Sequence, residues 1–150
     1  MSGQVVQVVS DPRSTAAIAL QVDELVPGAG LLPAAGDPLR REAVRQLVFL
    51  VAAIYPTFTY GDAPAKWGCG DELRASTNAH RERLWRHLES VVRGPWFLGE
   101  RWSVLDVYVS VMTRWRPGRA WFGEHAPKLA AIAAAVDRDP RLADVWGANF

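Results

Sequence analysis

The sequence predicts an all-α protein, a bundle of five to six helices with at most one short strand at the N-terminus. Three observations carry this. Apolar residues recur at spacings of three and four from Leu39 through Leu47, Leu50 and Ile54. Asp-Pro pairs, the usual opening of a helix, stand at Asp37-Pro38 and Asp139-Pro140. Ser103, with Asp106 three residues on, caps a run that is apolar nearly all round and reads as a central buried helix.

In chain order, Gln4 to Val9 is β-branched and reads as one strand, closed by the turn signal Ser10-Asp11-Pro12. Ser14 to Leu25 reads as a helix stopped by Pro27-Gly28, and Gly28 to Gly36 as a connector. From Asp37 the long helix runs on, and Pro56 should kink it by removing one interior hydrogen bond. Ala65 to Gly70 is a loop holding Trp67 and Cys69. The next helix, from Asp71 to Gly94, turns Leu73, Leu84, Trp85, Leu88 and Val92 inward and places Arg74, His80, Arg81, Arg83 and Arg86 on its polar side. In the central helix Trp102 and Val107 flank the Ser103–Asp106 capping box at the positions of a hydrophobic staple. Arg116-Pro117-Gly118 is a turn, Glu124 to Val136 one Ala-rich helix, and Asp139 onward a short last helix.

Composition narrows the function classes. With 49% hydrophobic and 22% charged residues, 150 residues make one ordinary globular core. The net charge of +1 comes with no basic block, which argues against nucleic acid and against an anionic membrane as partners. One cysteine excludes an internal disulfide and suits a reducing compartment. The apolar run Leu47 to Tyr55 is too short to span a bilayer, and the N-terminus has no basic region followed by an apolar signal core. A soluble, cytoplasmic protein is expected. His80 and His87 are seven apart with no acidic residue to complete a ligand set, so no metal is expected. Cys69 sits between two glycines without a neighbour that would activate its thiol.

The run Phe97-Leu98-Gly99-Glu100-Arg101-Trp102-Ser103-Val104-Leu105-Asp106 resembles the N-capping box and staple of the cytosolic glutathione S-transferase superfamily, where it opens the core helix of the helical domain. Leu47 to Phe58 and Asp137 to Leu142 agree with it, and the likeness, nearest to bacterial members, covers roughly residues 14 to 150. It implies that residues 37–150 form the C-terminal helical domain. Residues 1–36 would then be a remnant of the thioredoxin-like domain: a possible strand, one helix and the linker.

By the same resemblance, Ser14 and Thr15 stand where the family has the Glu/Gln-Ser pair that holds the γ-glutamyl end of glutathione. The acidic partner is absent, and a plain helix cap is the competing account of both residues. The family's thiol-activating residue and its cis-proline precede this stretch, so the resemblance describes a truncated transferase without them. The site residues it implies are Tyr55, Phe58 and Tyr60 at the end of the long helix, with Arg114 and Trp115 at the end of the central one. In bacterial members these helix ends line the pocket for the apolar co-substrate. Tyr55 replaces a histidine of one bacterial class, Pro56 a lysine, and Trp115 matches a pocket tryptophan. Core filling is the alternative for Tyr55 and Trp115, and a solvated face is the alternative for Arg114, Arg116 and Arg119. Three functions stay open: a glutathione-transferase-like enzyme, a non-catalytic binder of an apolar small molecule, and a homodimeric interaction module. No cofactor is expected beyond glutathione itself.

Overall fold

The computed structural model describes residues 15–150, and in it the chain is a bundle of seven helices with short connections. They are α1 (Thr15–Leu25), α2 (Pro38–Asp62), α3 (Asp71–Val91), α4 (Val104–Thr113), α5 (Arg119–His125), α6 (Pro127–Asp137) and α7 (Ala143–Asn149). No strand occurs among the described residues. The strand expected over residues 4–9 lies outside them, as does Ser14.

The expected caps form. Asp37 Oδ1 accepts from the Leu39 N–H at 2.8 Å, and Asp139 Oδ1 from the Arg141 N–H at 3.0 Å. At the head of α4 the capping box is present, and Asp106 does most of its accepting. Its Oδ2 takes the Ser103 N–H at 2.6 Å and the Ser103 hydroxyl at 3.1 Å, while Oδ1 takes the Phe97 N–H at 2.7 Å. One fully buried carboxylate thus closes the start of α4 and ties down the loop before it. Trp102 is half-buried beneath the Arg141 guanidinium, 4.4 Å from its ring centroid, and Val107 packs on the core.

α4 is the centre of the bundle, as its composition requires: none of its residues is exposed. Leu105, Val109 and Met112 meet Leu129, Ile132 and Val136 of α6 in the core, with Leu47, Leu50 and Ile54 of α2 and Trp85 and Leu88 of α3. By length and composition alone α2 could cross a membrane, yet its apolar stripe faces this core. The connector is anchored as well, since the Leu31 carbonyl accepts from the Val104 N–H at 2.8 Å and Asp23 accepts from Leu32 N–H and from Arg40.

Three local features differ from the expectations. Before Pro56 the long helix widens into a π-turn over Leu50–Ile54, where the Tyr55 N–H reaches the Leu50 carbonyl five residues back. Pro56 cannot donate to the turn below it, and a wider turn takes up that missing bond. The single helix expected over Glu124 to Val136 is broken at Ala126 (φ −147°, ψ 63°), so that α5 and α6 are separate. The residue before a proline is driven out of the helical region by the ring of Pro127, which then serves as the first residue of α6. Arg81, expected on the polar side of α3, is 1% exposed. The spacing that turns Trp85 and Leu88 inward turns residue 81 inward with them, four and seven residues earlier.

Candidate ligand site

Two helix ends and one helix start converge beside the π-turn. Tyr55 and Phe58 are three residues apart on α2 and so share a face. Trp115 follows the last turn of α4, where tight bonds from Arg114 N–H to Val111 O and from Trp115 N–H to Met112 O (both 3.1 Å) carry the chain back over α2. The indole meets Tyr55 at 5.9 Å between centroids and Phe58 at 5.3 Å, with interplanar angles of 72° and 79°. Both are edge-to-face contacts, the arrangement that ring quadrupoles favour. Phe58 is buried, Trp115 half-buried and Tyr55 39% exposed, so the three make one aromatic wall with its open side at Tyr55.

Behind the wall stands Arg81. Its guanidinium carbon lies 3.8 Å from the Phe58 ring centroid. Nε donates to Thr57 Oγ1 and Nη2 to the Thr57 carbonyl, both at 2.8 Å, and Nη1 to Asn78 Oδ1 at 3.2 Å. Burial holds its pKa below the usual arginine value, and the charge of Asp62 works against that shift. Cation, ring and indole are therefore stacked in sequence from the interior outward, and Arg81 fixes the floor on which Phe58 and Trp115 rest. The close approach of α2 to α3 depends on Gly61, where a Cβ would come within 2.4 Å of Thr77 Oγ1.

A third element adds polar groups. Tyr108 of α4 is seven residues before Trp115, which follows the last turn of that helix. Burial pushes its phenol pKa up, a hydrogen bond with the Thr15 side chain at the start of α1 pulls it down, and Tyr55 pushes it up. The Tyr108 Oη is inaccessible to solvent. Composition and capping signals passed over this residue.

The other predicted site residues lie apart from this wall. Tyr60 pairs with Trp67 at 4.8 Å, both rings exposed, and the Trp67 indole N–H faces the Thr59 carbonyl at 3.4 Å. Arg114 turns away to Asp137 at 3.0 Å and stacks over Trp146 and Phe150 at 5.0 and 4.5 Å. Arg119 joins it on Asp137, at 3.0 Å, where the Ser110 hydroxyl also donates at 2.9 Å. Burial would raise the Asp137 pKa, but the Ser110 hydroxyl and the two guanidinium groups bring it below the usual carboxylate value. Arg116 pairs with Asp62. Arg114, Arg116 and Arg119 are thus each held by a carboxylate.

Cys69 is exposed, with its thiol 3.4 Å from the Trp67 carbonyl. His87 stacks on Phe49 and His125 on Trp121, while His80 faces Arg83. No group of three metal-ligating side chains occurs among the described residues. An open groove of about 730 Å³ runs along the start of α2, between Gly36 and Arg45, and a hollow of about 150 Å³ lies beside Arg81 and Arg116. The groove is lined by Gly36, Asp37, Pro38, Arg40, Arg41, Val44 and Arg45 and holds no aromatic side chain.

No family model matches the chain. The uncharacterized GST-like protein YncG of Escherichia coli (strain K12) is 38% identical over 138 residues, which cover 90% of this chain and 66% of that protein. Among solved structures, a sphingomonad glutathione S-transferase complexed with glutathione superposes with a TM-score of 0.72 at 28% identity, over 89% of this chain and 65% of the other. BphK, a bacterial GST solved as a ternary complex, gives a TM-score of 0.72 at 23% identity, over 89% and 66%. The chain spans about two thirds of the length of each of these relatives.

Proposed function

This chain belongs to the glutathione S-transferase superfamily, and from that premise we propose that it binds an apolar small molecule against the wall formed by Tyr55, Phe58 and Trp115. The observation that carries the reading is the edge-on packing of Trp115 against both neighbours with Tyr55 left open. Such a surface offers area and shape to an apolar body, with hydroxyl groups to orient it. On this reading residues 37–150 are the superfamily's C-terminal helical domain, and residues 1–36 belong to the end of its first domain and the linker.

Conjugation of a thiol is left out of the reading for a chemical reason. A transferase must hold its thiol as a thiolate, which calls for a base or a strong donor beside the sulfur. Among the described residues the cysteine and the three histidines have other neighbours, and Tyr55 is a poor base and, with no cation placed beside its hydroxyl, not a strong donor. Tryptophan fluorescence separates the alternatives. Ethylbenzene should quench saturably in the parent chain, and Trp115→Phe should abolish that component. Glutathione should leave the signal flat up to millimolar concentration. Saturable glutathione quenching that Trp115→Phe removes would instead assign thiol chemistry to the same wall.

A homodimer is a second reading, favoured by the exposure of Leu25 and Val26 at the end of α1 and of Val48 on α2. Apolar side chains gathered on neighbouring helices are commonly covered by a second copy. The expected result is a dimer mass by light scattering at micromolar concentration, and a monomer mass would retire it. The reading places the protein in the cytoplasm, where the exposed Cys69 stays reduced.

A further inference from the structure

We propose that the hollow beside Arg81 is a binding site for a small monocarboxylate anion of the size of acetate. The buried Arg81 guanidinium holds the anion from below, with Asn78 and Arg116 around it. The site is separate from the aromatic wall and needs no ligand there.

Arg81 is a buried cation whose hydrogen bonds, among the described residues, go to Thr57 and Asn78 and to no carboxylate. Buried charges are ordinarily paired, because their desolvation otherwise goes uncompensated. The carboxylates in the neighbourhood are engaged elsewhere: Asp62 pairs with Arg116, and Glu82 with Arg86 at 3.6 Å. Three guanidinium groups thus meet two carboxylates, and one positive charge is left over.

The hollow opens onto that charge. It measures about 150 Å³ and is lined by Asn78, Arg81, Glu82, Arg116 and Pro117. Of these Arg81 is buried, Asn78, Glu82 and Pro117 are half-buried, and Arg116 is exposed, so the lining grades from interior to solvent. A guanidinium carries five N–H groups, and three of Arg81's are taken by Thr57 Oγ1, the Thr57 carbonyl and Asn78 Oδ1. One N–H remains on each Nη, and a carboxylate accepts two such donors side by side. The Asn78 NH₂ adds a neutral donor, since its oxygen is the atom that faces Arg81. Charge and size select the class of anion. A single surplus positive charge suits a monoanion, and Asp62 and Glu82 oppose a dianion such as sulfate. The volume lies below the roughly 300 Å³ at which pockets begin to enclose drug-sized molecules.

The test replaces sodium chloride by sodium acetate at constant ionic strength and neutral pH. The Arg81 Nε–H signal, assigned by its cross-relaxation with the Phe58 ring, is followed in NMR spectra. Acetate should shift it saturably with a millimolar Kd and raise Tm over the same concentration range. Asn78→Asp sets a carboxylate against the same Nη1 and supplies the missing charge within the chain. That variant should have a higher Tm than the parent and bind acetate at least about tenfold more weakly. Absence of a saturable shift in the parent would overturn the proposal, whether the hollow binds nothing or takes chloride equally well. An acetate affinity unchanged in Asn78→Asp would overturn it by placing the anion elsewhere. A Tm lowered by Asn78→Asp would do so by showing that the Arg81 charge is already balanced. None of these outcomes bears on the aromatic wall, which ethylbenzene tests by itself.

Discussion

Asp106→Asn is expected to destabilise the bundle by about 3 kcal/mol in urea unfolding, despite being nearly isosteric. The carboxylate accepts two backbone N–H groups on different oxygens, Phe97 on Oδ1 and Ser103 on Oδ2. An amide has only one acceptor oxygen, so its NH₂ must face one of those donors, and a buried N–H is left unpaired in a site closed to solvent. The loss strikes at the head of α4, against which α6 packs, so it should appear as a shift of the whole transition. A change below about 1 kcal/mol would show that the loop before α4 finds other partners. The ionisation has its own direction. Burial raises the Asp106 pKa, and the hydrogen bonds from Phe97 and Ser103 only partly offset this.

Arg81→Ala should cost about 2–4 kcal/mol, by a different route. Removing the guanidinium opens a void under Phe58 and leaves the Thr57 carbonyl and hydroxyl without their donors. Arg81→Met keeps most of the volume and sheds the cost of a buried charge, so its loss should be smaller. Arg81→Lys should not restore the parent, because an ammonium can neither lie flat on the ring nor donate in a fork to both Thr57 atoms. All three should alter the Trp115 emission, since Phe58 lies between Arg81 and the indole. Alanine and methionine variants of equal stability would mean that cavity formation is not the cause.

Where side chains obey periodicity and capping chemistry, the sequence was a sufficient guide. Asp37, Asp139 and the Ser103–Asp106 pair cap where their spacing places them, and α4 is buried because its composition leaves it no polar face. Tyr55, Phe58 and Trp115 meet in one aromatic wall. What escaped the sequence depends on choices between partners. Arg81 carries a charge and was assigned to solvent, although its helical position coincides with Trp85 and Leu88; the Phe58 ring and Thr57 make that position tolerable. The resemblance puts Arg114 with Trp115, but Asp137, twenty-three residues later, captures it. Nothing local announces such a pairing. The π-turn before Pro56 arises because the backbone there has a second way to pair its carbonyls, which no local pattern announces. Tyr108 was hidden by its setting in an apolar run, where a phenol reads as core.

The central claim is that an apolar ligand seats on the Tyr55–Phe58–Trp115 wall, and the indole N–H region of the NMR spectrum tests it most directly. Titration with ethylbenzene should move the Trp115 signal, assigned by its disappearance in Trp115→Phe, saturably and well beyond any shift of the other six tryptophans. A titration that leaves Trp115 in place, or that moves another indole such as Trp67 instead, would contradict the account.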